Sequence, residues 1–294
     1  MAKDQAAALR TIAAQRASQR RRSEYSRVIV VTSGKGGVGK TNISVNLGIA
    51  LAEQGLRVAL MDADMGLANA DILLGINPPY NLAHVINGEK TIKEIMAQGP
   101  AGLKLIAGGS GMTELADISR YNLSNLVNSL QDLDDALDIL LIDTGAGITS
   151  SVLSFALAGD EILVVVTPDP TSLADAYGLV KVLDRRNHSA SVRIVVNMCE
   201  NQKQGQEVFT KLDGVAKRFL SRQLLWGGMV PRDAVVPRAV RAFQPFYLVY
   251  PRSQAAAAIR QLAGQITAES GSYQKETVST GIGGFFRRLF GVGK

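Results

Sequence analysis

Short apolar runs alternate with longer amphipathic stretches along the chain. The first run is Val28–Val31, and six later runs have the sequences RVALMDAD, LKLIAGG, DILLID, EILVVVT, VRIVVNM and LLWGGMV. Helical periodicity separates most of them. Because the runs are continuously apolar instead of alternating, they are typical of strands that are covered on both faces. The pattern therefore predicts an α/β fold, a doubly wound, mostly parallel sheet with helices on both faces.

A glycine-rich loop follows the first strand. The segment GKGGVGKT, residues 34–41, fits the spacing G-x-x-x-x-G-K-[ST], and helical periodicity continues from Thr41 to Gln54 before Gly55 ends it. Glycines allow backbone N–H groups to approach a phosphate closely at a helix N-terminus. Lys40 would reach the β- and γ-phosphates, and Thr41 would ligate Mg²⁺. The predicted nucleotide-binding residues of the loop are Gly36, Gly37, Val38, Gly39, Lys40, Thr41 and Asn42.

Acidic residues close two of the predicted strands. Asp143 ends the run LLID and precedes a glycine-bearing loop, which suits a Walker B carboxylate near the metal and a loop that senses the γ-phosphate. Asp62 and Asp64 lie just beyond another strand, so both could face the nucleotide. An aspartate at such a junction can instead cap a helix N-terminus, and this alternative stays open for all three.

Composition limits the classes of protein that fit. A chain of 294 residues with 46% hydrophobic content is sufficient for one large α/β domain with short appendages. Its one cysteine, Cys199, excludes a disulfide framework and a cysteine-rich metal site within one chain. No apolar run approaches the roughly 18 residues of a membrane span, and the start, MAKDQAAALR, does not resemble a signal peptide. We therefore expect a cytosolic protein.

The net charge of +6 is concentrated at the two ends of the chain. Residues 1–27 carry a net charge of +5, residues 281–294 carry +3, and the body between them carries −2. A basic total often indicates nucleic acid binding, but a slightly acidic body does not offer the required surface. DNA is therefore an unlikely partner.

Three segments together resemble the deviant-Walker-A ATPases of the MinD and ParA class: SGKGGVGKT, DADMGLANAD and LLIDTGAG. The resemblance covers about residues 28–268. It implies slow, dimer-dependent ATP hydrolysis and an ATP-dependent homodimer in which Lys35 crosses the interface to the other subunit's nucleotide. It also implies that Lys35, Lys40 and Asp64 are catalytic, with Asp64 positioning the attacking water. Asp62, Asp143 and Thr41 would surround Mg²⁺.

The same resemblance indicates where the adenine would lie. Asn197, which closes the run VRIVVN, sits where that class uses an asparagine side chain to read the base. The segment VPRDAVVPRA, which begins at Val230, resembles the segment that closes over the base, and Pro231 and Asp233 are its candidate contacts. The alternative for Asn197 is a turn asparagine at a strand end.

The C-terminal tail, GIGGFFRRLFGVGK, forms an amphipathic pattern behind a polar linker at 269–280. Its apolar residues follow helical spacing, and Arg287 and Arg288 lie off the stripe. Such a terminal helix favours an anionic membrane surface, although packing on the core is the alternative. The stripe consists of Ile282, Phe285, Phe286, Leu289 and Phe290. Two tails on an ATP dimer would bind a membrane better than one, so membrane attachment would report the nucleotide state.

The N-terminal segment 1–27 is predicted to be a basic, partly flexible helix, with a frayed basic arm as the alternative. Its start, DQAAALR, ahead of a MinD-like domain resembles the FlhG family, also called FleN or YlxH, of flagellar-number regulators. The resemblance implies that this segment stimulates the flagellar SRP-type GTPase FlhF. It also leaves flagellar transcriptional regulators and basal-body switch proteins as possible partners. The residues concerned are Asp4, Gln5, Ala6, Leu9 and Arg10.

The sequence thus predicts an ATP-switched dimer that moves between the cytosol and the inner membrane surface to control flagellar number and placement. Two alternatives stay open: a ParA-type segregation ATPase, and an ATP-gated adaptor that does not hydrolyse ATP. The first would need a basic surface on the body of the domain. The second is disfavoured because both Lys35 and Asp64 are present.

Overall fold

The computed structural model describes residues 26–64, 69–109, 130, 132–186, 190–220, 222–269 and 281–291. Within these ranges one sheet contains eight strands in the order β3-β4-β2-β5-β1-β6-β7-β8. All neighbouring strands are parallel except the short edge strand β3, which runs antiparallel to β4. The strands are β1 (Arg27–Ser33), β2 (Val58–Ala63), β3 (Ala97–Gln98), β4 (Lys104–Ala107), β5 (Ile139–Ala146), β6 (Glu161–Val166), β7 (Ser191–Cys199) and β8 (Leu225–Pro231).

Helices connect the strands and cover the sheet, together with a 3₁₀ turn at Pro100–Gly102. They are α1 (Lys40–Glu53), α2 (Ala70–Leu74), α3 (Leu82–Ile86), α4 (Ile92–Ile95), α5 (Ser150–Ala158), α6 (Pro170–Arg185), α7 (Gln202–Leu220), α8 (Val235–Arg241), α9 (Phe246–Val249), α10 (Gln254–Glu269) and α11 (Gly281–Phe290). The predicted doubly wound architecture and the seven predicted strands are confirmed. The antiparallel edge strand was not predicted, because two residues carry no usable periodicity.

Apolar side chains of the central strands alternate between two cores. In β1, Ile29 and Val31 point to the face covered by α1 and α10, whereas Val28 and Val30 point to the face covered by α5. All seven residues of β1 are buried. This explains the continuous apolar runs in the sequence, because a strand covered by helices on both sides has no polar face.

The C-terminal helix α11 packs on the second face of the sheet. Ile282, Phe285 and Phe286 are almost completely buried, with exposures of 0%, 0% and 1%. Leu289 and Phe290 are partly buried against the same cluster. Of the two possibilities that the sequence leaves open for the apolar stripe, the structure therefore shows packing on the core. In this conformation the stripe is not available to a membrane.

Candidate functional site

The glycine-rich loop joins β1 to α1 at the carboxyl edge of the sheet. Gly39, directly before α1, has a left-handed backbone with φ of 89°. A Cβ atom at this position would overlap the side-chain nitrogen of Asn197, so only glycine fits here. The hydroxyl of Ser33 donates to the carbonyl of Lys35 at 2.7 Å and fixes the start of the loop. The loop therefore has the strand–loop–helix form of a phosphate cradle.

Asp143 lies in β5, next to the loop. It pairs in register with Val31 of β1 on one side and with Asp62 of β2 on the other. Its side chain accepts a hydrogen bond from Ser44 of α1 at 2.9 Å. Burial, with a smaller contribution from the charge of Asp62, raises the pKa of the Asp143 carboxyl to about 7, although hydrogen bonds from Thr41 and Ser44 and the charge of Lys40 lower it. A cation at this position would favour the ionised carboxylate.

Asp62 is the next-to-last residue of β2, so it lies within the strand and not just beyond it as predicted. Its carboxylate serves partly as a helix cap. Its carboxylate accepts N–H groups of Asn69 at 2.9 Å and Ala70 at 3.0 Å, at the start of α2. It also accepts the N–H of Asp64 at 3.2 Å. Burial raises its pKa, while these backbone hydrogen bonds lower it. The capping alternative raised by the sequence thus describes the contacts that Asp62 makes, and its oxygens still lie beside Asp143.

Asp64 faces the last residues of β5 and the loop that follows them. Its Oδ1 lies 3.5 Å from the position that a Cβ atom of Gly145 would occupy. Together they line a cavity of about 170 Å³. The N–H of Gly147 donates to the carbonyl of Ser33 at 2.9 Å, which ties this loop to the end of β1. The cavity therefore lies between the candidate catalytic carboxylate and a loop attached to the phosphate cradle.

The residues at this edge fit a nucleotide with Mg²⁺. Backbone N–H groups and Lys40 can hold phosphates, while Thr41 and the carboxylate of Asp143 supply oxygen ligands of the type that Mg²⁺ prefers. Within the described ranges, no group of three His, Cys, Asp or Glu residues could hold a metal by itself. Mg²⁺ needs no such group, because it commonly keeps waters and binds one or two carboxylates together with substrate phosphates.

Lys35 lies on the outer side of the loop. Its Nζ donates to the hydroxyl of Thr171 at 2.6 Å and to Asp169 Oδ2 at 3.3 Å. Both partners belong to the start of α6. The side chains of Lys35 and Asp169 are 39% and 59% exposed. Within one chain, Lys35 is therefore held by residues at the start of α6. Its ammonium group is still accessible to solvent.

Asn197 contacts the phosphate loop. Its side-chain nitrogen donates to the carbonyl of Val38 at 2.8 Å, and its oxygen accepts the N–H of Met198 at 2.9 Å. Met198 has a positive φ of 59°, an uncommon backbone conformation for this residue type. The amide that the sequence assigns to adenine reading is thus engaged with the loop. A base-reading role stays a prediction.

Pro231 is the last residue of β8, and Asp233 follows it. Pro231 pairs with Cys199 at the end of β7. The carboxylate of Asp233 accepts the N–H of Val235 at 3.1 Å and of Ala255 at 3.3 Å. It therefore fixes the starts of both α8 and α10, so its described contacts are structural. Adenine contact by these two residues stays a prediction.

The structure describes only one of the two predicted partner-binding segments at the chain ends. Asp4, Gln5, Ala6, Leu9 and Arg10 lie outside the described residues. The tail stripe is described and is docked on the core, as shown above. Among the described residues, no helix combines the length and apolar character needed to cross a bilayer.

Sequence reasoning missed several contacts of the site. Ser44 could have been found, because it lies four residues after Lys40 and therefore on the same face of α1. Asp169 and Thr171, the partners of Lys35, carried no local signal. They come from a helix that is more than a hundred residues away in the sequence.

A comparison with protein families gives a match over residues 24–267 with the ParA family model, described as NUBPL iron-transfer P-loop NTPase. The chain belongs to the ParA/MinD family of P-loop NTPases. The predicted family resemblance is therefore confirmed, and the assignment of the glycine-rich loop as the nucleotide site stays a prediction.

Two curated relatives of this ParA/MinD chain carry flagellar names. Antiactivator FleN of Pseudomonas aeruginosa is 43% identical over 239 residues, which cover 81% of this chain and 85% of the relative. Flagellum site-determining protein YlxH of Helicobacter pylori is 33% identical over 265 residues, which cover 90% of each protein. The predicted resemblance to the FleN/YlxH group is therefore confirmed.

A solved structure agrees with the fold of the ParA/MinD domain. The septum site-determining protein MinD of Pyrococcus horikoshii, complexed with Mg-ADP, superimposes with a TM-score of 0.65 at 22% identity. The match covers 82% of this chain and 96% of that structure. At this identity the likeness supports the fold alone.

Proposed function

We propose that this ParA/MinD-family chain is an ATP-driven switch that controls flagellar number and placement. The observation that carries the proposal is the carboxyl edge of the sheet. There Asp64 lines a cavity with Thr144 and Gly145, the two residues after Asp143, and Asp143 pairs with Val31 of the strand that leads into the phosphate loop. The chain is also 43% identical to FleN. The names of the two relatives, an antiactivator and a flagellum site-determining protein, supply the flagellar part of the proposal.

The proposed reaction is hydrolysis of ATP to ADP and phosphate. Asp64 orients a water molecule in the cavity beside Gly145, and the water oxygen forms a bond to the γ-phosphorus as the bond to the β-γ bridging oxygen breaks. Lys40 and the loop N–H groups stabilise the negative charge on the phosphates. Mg²⁺, held by Thr41 and Asp143, supplies further charge stabilisation when bound.

The proposed active species is an ATP-bound homodimer. Lys35 is half-exposed at the rim of the site, so its ammonium group can be presented to a second chain once it leaves Asp169 and Thr171. A charge donated across an interface makes nucleotide binding and dimerisation depend on each other. Dimer formation would then report that ATP is bound.

The proposed output is membrane attachment through α11. The docked stripe and a membrane-bound stripe use the same side chains, so the two states exclude each other. Burial of one large apolar side chain contributes about 2 kcal/mol in either environment. The apolar contribution is therefore similar in the two states, and in the proposed switch nucleotide binding shifts the balance between them. Two released tails on one dimer would bind cooperatively.

Vesicle co-sedimentation tests this proposal. The full chain is mixed with vesicles containing anionic lipids under ATP, ADP and no nucleotide, alongside a Leu289→Ser/Phe290→Ser variant. These two stripe residues are only partly buried in the docked state, so the variant should keep its fold and lose membrane affinity. Phe219→Ser removes an exposed aromatic residue of α7 instead and is the matched control.

Sedimentation that needs ATP and the intact stripe supports the switch. Sedimentation that is equal in all nucleotide states, or absent from all of them, contradicts it. ATP-dependent binding to duplex DNA in a parallel assay would favour a segregation ATPase instead.

We also propose that the N-terminal segment stimulates FlhF. The basis is the sequence DQAAALR alone, since this segment lies outside the described residues. The GTPase rate of purified FlhF should rise when the full chain is added, and Gln5→Ala/Arg10→Ala should remove the rise. An Arg20→Ala/Arg21→Ala variant controls for loss of charge, and equal stimulation by all three proteins would contradict the role. Flagellar transcriptional regulators and basal-body switch proteins are further proposed partners. The relatives' names, an antiactivator and a flagellum site-determining protein, support the flagellar setting alone.

A further inference from the structure

Helix α5 begins at the catalytic cavity. Its N-cap is Thr149, whose hydroxyl accepts the N–H of Val152 at 3.4 Å. The cavity of about 170 Å³ beside Asp64 is lined by Thr149, Val152 and Phe155. Successive turns of α5 therefore form one wall of the space where hydrolysis is proposed to occur.

The other end of α5 and the next residues hold the tail helix. The ring of Phe155 stacks on Phe285 with centroids 6.3 Å apart and planes 27° apart. The carbonyl of Ala158 accepts two N–H groups of Arg288, at 2.9 and 2.7 Å. Asp160 accepts a third at 3.2 Å and also accepts the N–H of Val28 in β1. Asp160 thus joins the residues that hold α11 to β1 of the sheet.

Phe155 belongs to both sites. It lines the cavity together with Asp64, it contacts Phe285, and it is only 5% exposed. The helix has nine residues, so at a rise of about 1.5 Å per residue it extends about 13 Å and moves as a short rigid rod. A change in the loop before Thr149 must be accommodated by this rod. Close-packed interiors transmit such changes because they hold few voids.

We infer that α5, through Phe155, couples the occupancy of the nucleotide site to the docking of the tail. This inference rests on the proposed nucleotide-driven release of α11. Coupling between two sites is reciprocal. If ATP favours tail release through α5, then a loosened tail must strengthen ATP binding, even without a membrane. Phe155 is a positioning residue in this scheme and takes no part in the chemistry.

Asp134 provides a way to loosen the tail without touching α5. Its carboxylate accepts the N–H groups of Ile282 and Gly283 at 2.6 and 3.1 Å, which caps the start of α11. It also accepts the hydroxyl of Ser26. Asp134→Ala removes this cap. A thiol introduced as Leu289→Cys reports the loosening by its labelling rate, because the native Cys199 is buried and burial raises its pKa to about 11.

The experiment is a double-mutant cycle on the full chain, with the affinity for ATPγS as the readout at concentrations where light scattering shows monomers. Asp134→Ala should tighten ATPγS binding about fivefold, the lower end of typical allosteric couplings. In the Phe155→Leu background the same change should have no effect. Phe246→Leu, an equal substitution at a buried site on the other face of the sheet, should preserve the fivefold effect.

The cycle separates coupling from simple stabilisation. A merely structural Phe155 would shift the affinity of the single variant but leave the effect of Asp134→Ala intact, which overturns the inference while tail release stands. No effect of Asp134→Ala in any background, with faster thiol labelling, also overturns it. The vesicle experiment judges the proposed function separately.

Hydrogen exchange on the unmodified chain provides a second measurement should Phe155→Leu not fold. ATPγS should change exchange in α5 together with α11. A change in α11 with none in residues 152–158 would overturn the inference.

Discussion

Asp143 illustrates how a buried carboxyl depends on neighbours from several elements. Its place in a strand that leads into a glycine-bearing loop was predictable from the sequence, but the predicted strand end was wrong, because β5 continues three residues beyond it to Ala146. The pKa of Asp143 was not predictable, because burial in the sheet and the charge of Asp62 depend on how β1, β2 and β5 pair. Local sequence gives the residue type, but strand register determines its environment.

Asp143 should make the nucleotide-free and Mg²⁺-free protein less stable as the pH rises. Its pKa is about 7 in the folded chain against an ordinary 3.8, so the folded state holds more protons between about pH 4 and pH 7. Stability therefore falls with rising pH across this window. Asp143→Asn should flatten the fall. Thermal unfolding in EDTA at stepped pH measures it, and equal slopes for both proteins would contradict the prediction.

Asn197→Ala should weaken ADP binding about tenfold. The substitution removes the hydrogen bond to Val38 and leaves a buried carbonyl of the phosphate loop without that partner, a cost of about 1–3 kcal/mol. Isothermal titration with ADP and Mg²⁺ measures the change. Asn87→Ala, at an exposed position, is the control. Unchanged affinity in Asn197→Ala would show that the loop keeps its shape without this tether.

Asp169→Asn should strengthen ATP-dependent dimerisation by at most about fivefold. The exposed ion pair with Lys35 competes with any contact that Lys35 makes to a second chain, and exposed pairs contribute about 0–1 kcal/mol. Sedimentation equilibrium with ATPγS measures the effect, with Glu207→Gln as the control. Weaker dimerisation in Asp169→Asn would show that Asp169 instead positions Lys35 for the interface.

At the scale of elements, the strands and the phosphate loop followed directly from periodicity and spacing. The tail helix did not. An amphipathic stripe has the same sequence whether it meets a membrane or a protein core, so Ile282 and Phe285 could not reveal their surroundings. The packing of α11 on the core depends on a groove formed by α5 and β1 and on a cap from Asp134. These contacts span more than a hundred residues of sequence.

A buried charge network joins the amino ends of three strands. Glu161 of β6 accepts from Arg27 of β1 and Arg193 of β7, both at 2.6 Å. Glu161→Ala should lower the free energy of unfolding by about 3–5 kcal/mol, because two buried cations lose their shared partner. Urea denaturation measures it. Lys217→Gln, which breaks an exposed ion pair, should change it by less than about 0.5 kcal/mol. Similar losses in both variants would contradict the buried-network argument.

At the scale of the whole molecule, hydrolysis resets the proposed cycle. Asp64→Ala should leave nucleotide binding intact and trap the ATP-bound dimer, because the water in the cavity is no longer oriented. Light scattering after addition of ATP should show a dimer that persists, whereas the unmodified protein returns to monomer as ATP is consumed. A monomer that persists with ATP in Asp64→Ala would count strongly against the scheme.

In the proposed cycle the tail stripe binds either the groove or a membrane, and this double use limits how selection can adjust the balance between the two states. A substitution that makes Phe285 or Phe286 more hydrophobic stabilises both the docked and the membrane-bound state, so the balance between the two states hardly changes. The groove residues stabilise the docked state only. Related proteins that differ in this balance should therefore differ in the groove, around Asp134 and Asp160, and at the partly buried Leu289 and Phe290. Phe285 and Phe286 should stay the same.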